Sequence, residues 1–303
     1  MTAGVHVVAT GFRFPEGPSV APNGDICVVE LAGGRVSRVT PDGEVTTFAV
    51  LGGSPNGSAF GPDGHLYVCN GGGRWAAETS TGGSVGPADG DSLIQRVDPD
   101  GRAATLIAAV GDRPLNAPND ICFDADGGFW FTDPAWPDAT GETPAGTICW
   151  SDTDGRVVDA HTGLEFPNGL GVTPDGETLI VAESRTNRLV ALPILGAGRL
   201  GTPRHFADLP GGFPDGLCFD AEGNVLCAGH GAGSVVVYGP AGGPAIETIT
   251  FDDADITNVC FGGPDMSSLF VTESDGGRLV RVERDVPGMV LFPDRARQAG
   301  GGD

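Results

Sequence analysis

The feature that most constrains the fold of this chain is a repeat that occurs six times. Each copy has a polar residue, a short apolar segment, a turn rich in Asp, Asn and Gly, and a second apolar segment. The copies begin at Glu16, Asn56, Asn119, Asn168, Asp215 and Asn258. Repeats of this length are typical of solenoids and propellers, in which each copy is one supersecondary unit. The sequence therefore predicts one structural unit for each copy.

Each unit is predicted to contain four strands. Two more strand-like runs follow a copy, such as GRVSRVT and EVTTFAV after the first one, and helical periodicity is nearly absent. Four short strands joined by Asp-Gly or Asn-Gly hairpin turns match the blade of a β-propeller. We therefore expect an all-β fold, a six-bladed β-propeller with four antiparallel strands per blade, as a single domain over residues 1–303.

The two ends of the chain have different predicted roles. The N-terminal segment VHVVAT is expected to supply the outermost strand of the last blade, since pairing the first and last strands closes the ring and removes an open edge. The tail over residues 294–303 is rich in Gly and is expected to be disordered.

The polar residues that begin the copies predict a binding site. In a propeller the innermost strand of every blade starts near the axis, so these six residues should form a ring of oxygen donors at one mouth of the channel. Two carboxylates and several amides would be costly there without partners, and a bound cation would offset that cost. Because no Cys or His belongs to the ring, the donor set favours a hard ion such as Ca²⁺.

Composition limits the partners and the compartment. The formal net charge of −23, from 17 basic and 40 acidic residues, argues against binding to nucleic acid or to an anionic membrane. Neither a signal peptide nor a run of 18 apolar residues is present. The seven cysteines are odd in number and mostly lie in apolar runs, as expected in a reducing compartment. We expect a soluble cytoplasmic protein; its oligomeric state is open.

Four motifs carry a resemblance to a known family. FPEGP at 14–18, APND followed by FWFTDP, FPNGL at 166–170 and FPDGL at 213–217 make the chain similar, over nearly its whole length, to the gluconolactonase/regucalcin (senescence-marker protein) family of six-bladed β-propeller lactonases. The resemblance implies a divalent metal bound by Glu16, Asn168 and Asp215, with Asn119 as a further ligand or a substrate contact. Ca²⁺ is the first candidate, and Zn²⁺, Mn²⁺ and Mg²⁺ are alternatives.

The same resemblance implies an activity. Family members are mainly lactonases, and Asp215 matches the position usually given the acid/base role. One departure concerns the substrate, because sugar-lactone members often carry an Arg two residues before the Asn that binds substrate, and this chain has Ala117 there. The nearby Arg113 is the basic residue that could replace it. The departure favours a less polar lactone over a polyhydroxylated sugar lactone.

Substrate contacts are predicted from side chains that face the same mouth. The long loops after the second strands of blades 2 and 3 place Trp75 and Trp136 where they could form an apolar wall above the metal; the alternative is that each packs within its own loop. His230 ends the second strand of blade 5 and is expected to contact substrate or carry a proton. Asn56 completes the predicted contacts. Asp133 and Glu183 end the corresponding strands of blades 3 and 4, where salt bridges within the blade are the alternative to a site role.

These residues predict a metal-dependent hydrolase that opens a small lactone or ester. The metal would polarise the carbonyl, and Asp215 would either activate water or attack as a nucleophile. No GxSxG motif suggests a serine triad. Three alternatives stay open: a phosphotriesterase-type hydrolase on the same site, a non-catalytic calcium- or ligand-binding propeller, and another acid/base reaction at the metal such as isomerisation of a lactone ring.

Overall fold

Strands make up nearly all the regular structure of this protein. The computed structural model describes residues 4–73, 90–134 and 143–291. Within these ranges the helical elements are two short 3₁₀ turns, Leu31–Gly33 and Ser184–Thr186. The strands form six antiparallel sheets of four or five strands, and a two-stranded ribbon joins Ala109–Val110 to Arg113–Pro114. The six sheets are the blades of a propeller, which confirms the predicted fold.

The first three blades follow the chain from the innermost strand outward. Blade 1 comprises Pro15–Val20, Ile26–Glu30, Arg35–Val39 and Val45–Val50. Blade 2 comprises Pro55–Phe60, Leu66–Asn70, Leu93–Val97 and Ala103–Ile107. Blade 3 comprises Ile121–Phe123, Phe129–Asp133, Gly146–Ser151 and Val157–Leu164.

The other three blades include the one that closes the ring. Blade 4 comprises Pro167–Val172, Thr178–Glu183, Arg188–Gly196 and Arg204–Asp208, with the short strand Arg199–Leu200 beside its third strand. Blade 5 comprises Phe213–Phe219, Val225–His230, Ser234–Tyr238 and Ala245–Thr250. Blade 6 comprises Ile256–Gly262, Ser268–Glu273, Arg278–Glu283 and the N-terminal strand Val5–Thr10.

The N-terminal strand closes the ring as predicted. Val5–Thr10 pairs antiparallel with Arg278–Glu283, and Val7 lies opposite Val280. Because the outermost strand of blade 6 comes from the other end of the chain, separating blade 1 from blade 6 requires breaking this ladder. The ring is therefore held by backbone hydrogen bonds as well as by packing between blades.

The hydrophobic core lies between neighbouring blades. One cluster joins Trp130 and Ile148 of blade 3 to Leu179 and Leu192 of blade 4, all of them fully buried. Inner strands are covered on both faces, so a second strand such as Leu66–Asn70 is buried at every position. An outermost strand such as Ala245–Thr250 is largely exposed. Burial on both faces explains why the inner strands read as continuous apolar runs in the sequence.

The cysteines and the hairpin turns agree with their predicted structural roles. All seven cysteines are free, and five of them are buried. Gly64 and Gly176 close Asp-Gly turns between first and second strands with φ of 76° and 78°, a region that glycine adopts without steric cost. No helix in the described ranges has the length and apolar character needed to cross a membrane. The predicted disorder of residues 294–303 lies outside the described residues.

Candidate active site

The register of the inner strands brings the predicted polar residues together. In blades 1, 2, 4 and 5 a proline pairs with the last or next-to-last residue of the second strand: Pro15 with Glu30, Pro55 with Asn70, Pro167 with Glu183 and Pro214 with Gly229. The next residue in each blade is the polar one, and the ladder is interrupted directly after it in blade 1 and directly after the proline in blades 2, 4 and 5. This irregularity at the start of the strand turns the polar side chain toward the axis.

These residues line one cavity at the channel mouth. Its volume is about 380 Å³. Its floor consists of the polar side chains Glu16, Asn56, Asn119, Asn168, Asp215 and Thr257. Its rim consists of Phe14, Leu31, Phe166, Ser184, Arg185, Phe213 and His230. Six of the eight predicted site residues therefore share one cavity, and the other two, Trp75 and Trp136, lie outside the described residues.

Blade 6 contributes Thr257 to the floor. The prediction that Asn258 belongs to the ring was therefore wrong. Ile256 lies opposite Glu273, so Ile256 takes the place that proline has in the other blades. The residue that follows it is Thr257. Repeats 1, 2, 4 and 5 share the sequence Pro-X-Gly, in which X is the polar residue, and we call this the Pro-X-Gly frame. The sixth repeat lacks the frame. Its first amide, Asn258, therefore predicted a ring position one residue too far along the chain.

Asn258 belongs to a second layer of side chains beneath the floor. At its position the other blades carry Gly17, Gly57, Asp120, Gly169 and Gly216. Asn258 Nδ2 donates to Asp120 Oδ2 at 3.3 Å, so these two side chains fill the space that four glycines leave. A Cβ on Gly57 would lie 2.3 Å from Asp120 Oδ1, which explains the glycine. The repeat pattern did not predict Asp120 as part of the site, although an acid aligned with four glycines was a signal in the sequence.

Three buried carboxylates, two on the cavity floor and one beneath it, interact electrostatically. Burial, with the charges of Glu16 and Asp120, raises the pKa of Asp215 well above its usual range. Burial, and then the charge of Asp120, raises the pKa of Glu16 to about 8. Burial raises the pKa of Asp120 to about 6. In the described ranges no Arg or His lies within ion-pair distance of any of the three. The site therefore has acidic side chains whose charge, once they ionise, no protein cation in the described ranges balances.

The floor also contains buried amides that face the cavity. Asn56 and Asn119 are each only 4% exposed, and among the described residues neither side chain has a hydrogen-bond partner. The side chain of Asn168 hydrogen-bonds to Asp215. Buried amides without partners are rare unless a ligand satisfies them. Both amides are therefore placed to bind a molecule or ion in the cavity.

The donor set fits a hard divalent cation. In the described ranges no three His, Cys, Asp or Glu side chains are grouped as metal ligands would be. A cation here would therefore rely on two carboxylates, Glu16 and Asp215, together with amide oxygens such as that of Asn168. Oxygen-only ligands of this kind suit Ca²⁺, and the unbalanced buried charge favours binding.

His230 lies on the rim, where its position corresponds to Leu31 and Ser184 in blades 1 and 4. Its side chain is 34% exposed, and its Nδ1 lies 3.7 Å from Asp255 Oδ1. This separation exceeds a hydrogen bond but leaves the imidazole beside a carboxylate at the cavity edge. His230 is therefore accessible to a ligand in the cavity.

The acids that end other second strands form salt bridges within their blades. Arg188 pairs with the buried Glu183, and Arg113 pairs with Asp133 at 2.6 Å. Arg113 also binds Asp159 at 2.6 Å, and it does not line the cavity. Ala117 is fully buried and donates its backbone N–H to Asp133. Arg113 therefore does not replace the arginine that sugar-lactone members of the resembled family often carry.

Comparison with known proteins matches these features over most of the chain. A family model described as the SMP-30/Gluconolactonase/LRE-like region matches residues 14–275. Pentonolactonase XacC of Haloferax volcanii is 30% identical over 276 residues, which cover 89% of this chain and 85% of that protein. Diisopropyl-fluorophosphatase of Loligo vulgaris is 32% identical over 184 residues. That match covers 56% of this chain and only 58% of the squid protein.

A solved structure supports the same relationship. The protein XC5397 of Xanthomonas campestris, described as a gluconolactonase important in glucose secondary metabolic pathways, superposes with a TM-score of 0.77 at 27% identity. The superposition covers 93% of this chain and 89% of that one.

Proposed function

Because the chain belongs to the SMP-30/gluconolactonase/LRE-like family, we propose that it is a divalent-metal-dependent hydrolase that opens a lactone. The observation that carries the proposal is the cavity floor. There the buried carboxylates of Glu16 and Asp215, which have no protein cation beside them in the described ranges, converge with the amides of Asn56 and Asn119, which have no side-chain hydrogen bond among the described residues. Relatives named as lactonases support the reaction class. Calcium is the ion that the oxygen donors favour, and a cytoplasmic location stays a prediction from composition.

The residues of the floor divide into those that hold the ion and those that act on the substrate. Glu16, Asn168 and Asp215 would hold the metal, and Asn119 is a further ligand or a substrate contact. When bound, a divalent ion supplies a Lewis acid for an ester carbonyl. Asn56 donates hydrogen bonds from its side-chain amide to the substrate and orients it. Asp215 either takes a proton from the attacking water or attacks the carbonyl carbon itself.

A direct test combines metal removal with one substitution. We expect the purified protein to contain or require a divalent ion and to hydrolyse at least one member of a lactone panel. Asp215→Asn should lower kcat/KM by at least about 1000-fold, because the amide cannot accept a proton or act as a nucleophile. Its circular dichroism spectrum should match that of the unaltered protein. Full activity in excess chelator, with no metal found by elemental analysis, would rule the proposal out.

A phosphotriester hydrolase is the second candidate. The squid relative is named as a fluorophosphatase, and a cation that activates C=O can also activate P=O. Parallel assays on lactone and organophosphate panels separate the two candidates. A lactone kcat/KM above that for every organophosphate would favour the first. Tight metal binding with no turnover on either panel would favour a binding protein.

A further inference from the structure

The rim of the cavity contains an aromatic group that the proposed chemistry does not use. Phe14, Phe166 and Phe213, which we call the aromatic rim, directly precede the proline of the Pro-X-Gly frame in blades 1, 4 and 5. Phe213 is 52% exposed, a large fraction for an aromatic side chain. Covering such a ring with an apolar ligand would be favourable in proportion to the area removed from water.

Two rings of the aromatic rim are held by strained backbone. Phe14 has φ of 56° and Phe166 has φ of 63°, in the left-handed region that bulky residues rarely adopt. The conformation is kept by hydrogen bonds from Leu31 N to Phe14 O and from Ser184 N to Phe166 O, both 3.0 Å long. Glycine would adopt it without strain, so phenylalanine at both positions lowers stability. A role for the rings in binding explains why the strain is present.

The hydroxyl groups beside the aromatic rim are already satisfied by the protein. Ser184 Oγ donates to the carbonyl oxygen of Pro214 at 2.7 Å. Thr257 Oγ1 lies 3.0 Å from the carbonyl oxygen of Pro15, to which it donates. Several hydroxyls of a sugar would therefore face phenylalanine rings and lose their hydrogen bonds to water. Leaving polar groups unpaired in this way discriminates strongly against a polyol.

Arg185 is a cation beside the same rings. Its guanidinium lies over the ring of Phe166, 5.1 Å from the centroid, and the residue is exposed. Among the described residues no carboxylate lies within ion-pair distance of it, whereas Arg188 pairs with Glu183. Stacking on an aromatic ring limits the orientations of a guanidinium. A guanidinium held in this way is suited to bidentate binding of a carboxylate.

We propose that the substrate is a lactone with an apolar ring or chain that bears a carboxylate. The apolar part packs against Phe166 and Phe213, the carboxylate pairs with Arg185, and the lactone carbonyl reaches the floor of the cavity. This inference rests on the proposed lactone hydrolysis and adds the class of substrate. Arg185 and the aromatic rim are specificity determinants and not catalytic residues.

The charge is tested with matched substrates. Steady-state kinetics would compare an aryl-substituted γ-lactone that carries a carboxylate with the same compound as its primary amide and with a sugar γ-lactone. We expect kcat/KM to be highest for the carboxylate, by about tenfold over the amide, since one charged pair at a partly exposed site is worth about that factor. Arg185→Gln should remove this preference mainly through KM, and Arg185→Lys should restore part of it.

Arg204→Gln is the matched control for charge. Arg204 is exposed, has no ion pair among the described residues and does not line the cavity. Its replacement removes the same formal charge from the protein. We expect it to change kcat/KM for the carboxylate less than twofold, so a long-range effect of net charge would be recognised by equal losses in both variants.

The apolar contact is tested at Phe213, whose backbone is unstrained. Phe213→Ala should raise KM for both aryl lactones about fivefold or more, a larger factor than for the sugar lactone, whereas Phe213→Leu should keep most of the affinity. Leu195→Ala is the control, because Leu195 is 56% exposed but does not line the cavity.

The outcomes separate this inference from the proposed function. A preference for the sugar lactone would overturn the inference, and so would a carboxylate preference that persists in Arg185→Gln. Either result would still be consistent with lactone hydrolysis. If no lactone is hydrolysed, the proposed function fails, and calorimetry with an aryl carboxylate tests the rim alone. Binding that weakens at least tenfold in Arg185→Gln but not in Arg204→Gln would then support the rim, and no binding would overturn it.

Discussion

The Pro-X-Gly frame joins three residues with separate tasks at one place in blades 1, 2, 4 and 5. The proline pairs with the end of the second strand, X reaches the cavity floor, and the glycine leaves room for the neighbouring inner strand. At Gly169 a Cβ would lie 2.2 Å from the carbonyl oxygen of Asp215, a backbone atom that has little freedom to move. The frame thus varies only in X because the other two positions are set by packing around the axis.

This packing predicts the effect of adding one methyl group. Gly169→Ala should destabilise the protein by about 2 kcal/mol or more and weaken metal binding, because relief of the overlap requires moving Asp215. Urea denaturation and metal titration by calorimetry would measure both effects. The control is Gly239→Ala, because a Cβ on Gly239 would meet no atom within 4 Å. Equal stability of the two variants would contradict the packing explanation.

The buried carboxylates predict a dependence of stability on pH and metal. An acid whose pKa is raised in the folded protein contributes stability that is fully present below its ordinary pKa. This stability is lost as the pH rises through the folded pKa. For Glu16 the ordinary pKa is 4.5 and the folded pKa is about 8. The chelated protein should therefore melt at a lower temperature at pH 9 than at pH 5.5, by about 5 °C or more.

Metal and substitution provide the controls for that dependence. Ca²⁺ should raise the melting temperature more at pH 8 than at pH 5.5, since protons compete for the same carboxylates. The chelated Asp215→Asn variant should be more stable than the chelated original at pH 9, because it removes one of two buried carboxyl groups that repel each other when both ionise. Calorimetric scans that show a flat pH profile for the chelated protein would contradict the interpretation of the site as unbalanced negative charge.

The element with the clearest internal repetition is the hairpin between the second and third strands. Glu30 pairs with Arg35 at 2.7 Å, and Arg188 and Arg278 pair with Glu183 and Glu273 in blades 4 and 6. Glu30 is fully buried and also accepts hydrogen bonds from Arg13 N and Ser37 Oγ. These contacts secure the turn that presents Leu31, and likewise Ser184, to the cavity.

Neutralising an acid of a salt bridge should lower the free energy of unfolding appreciably only where the acid is buried. Glu30→Gln should lower the free energy of unfolding by about 1 to 3 kcal/mol, because it leaves the donors around it less well satisfied. Glu283→Gln breaks a surface pair with Arg281, and Glu283 is 53% exposed, so a loss below about 0.5 kcal/mol is expected. Chemical denaturation of both variants makes the comparison, and similar losses would show that burial is not the cause.

At the scale of the whole molecule, stability depends on the closure of the ring. The strand Val5–Thr10 pairs with the third strand of blade 6, Arg278–Glu283, and covers its outer edge. An uncovered edge would expose unpaired backbone groups and invite association. The two ends of the chain therefore act together although they are far apart in sequence.

Removal of the closing strand tests this cooperation. A protein without residues 4–10 should lose several kcal/mol of stability and form aggregates, visible by thermal denaturation and light scattering. Adding the peptide VHVVAT in excess should raise its melting temperature, whereas a scrambled peptide should not. Unchanged melting of the shortened protein would mean that contacts between blades close the ring without the ladder.

The sequence by itself determined the number of blades, the identity of the closing strand and five of the six residues on the cavity floor. These follow from the repeated local pattern, because short apolar runs separated by Asp-Gly and Asn-Gly turns specify strands and hairpins. The same periodicity did not reveal Thr257, whose place depends on which residues pair across the first hairpin of blade 6.

Only the tertiary structure decided what surrounds the floor. Asp120 and Asn258 meet because two blades on different parts of the chain lean into space left by glycines, and their contact spans 138 positions. The aromatic rim depends on positive φ values at Phe14 and Phe166, which no residue preference predicts. Arg185 lacks a carboxylate partner among the described residues because of where its loop lies and not because of its neighbours in sequence. Periodicity specifies each blade, whereas the environment of the cavity arises where blades converge.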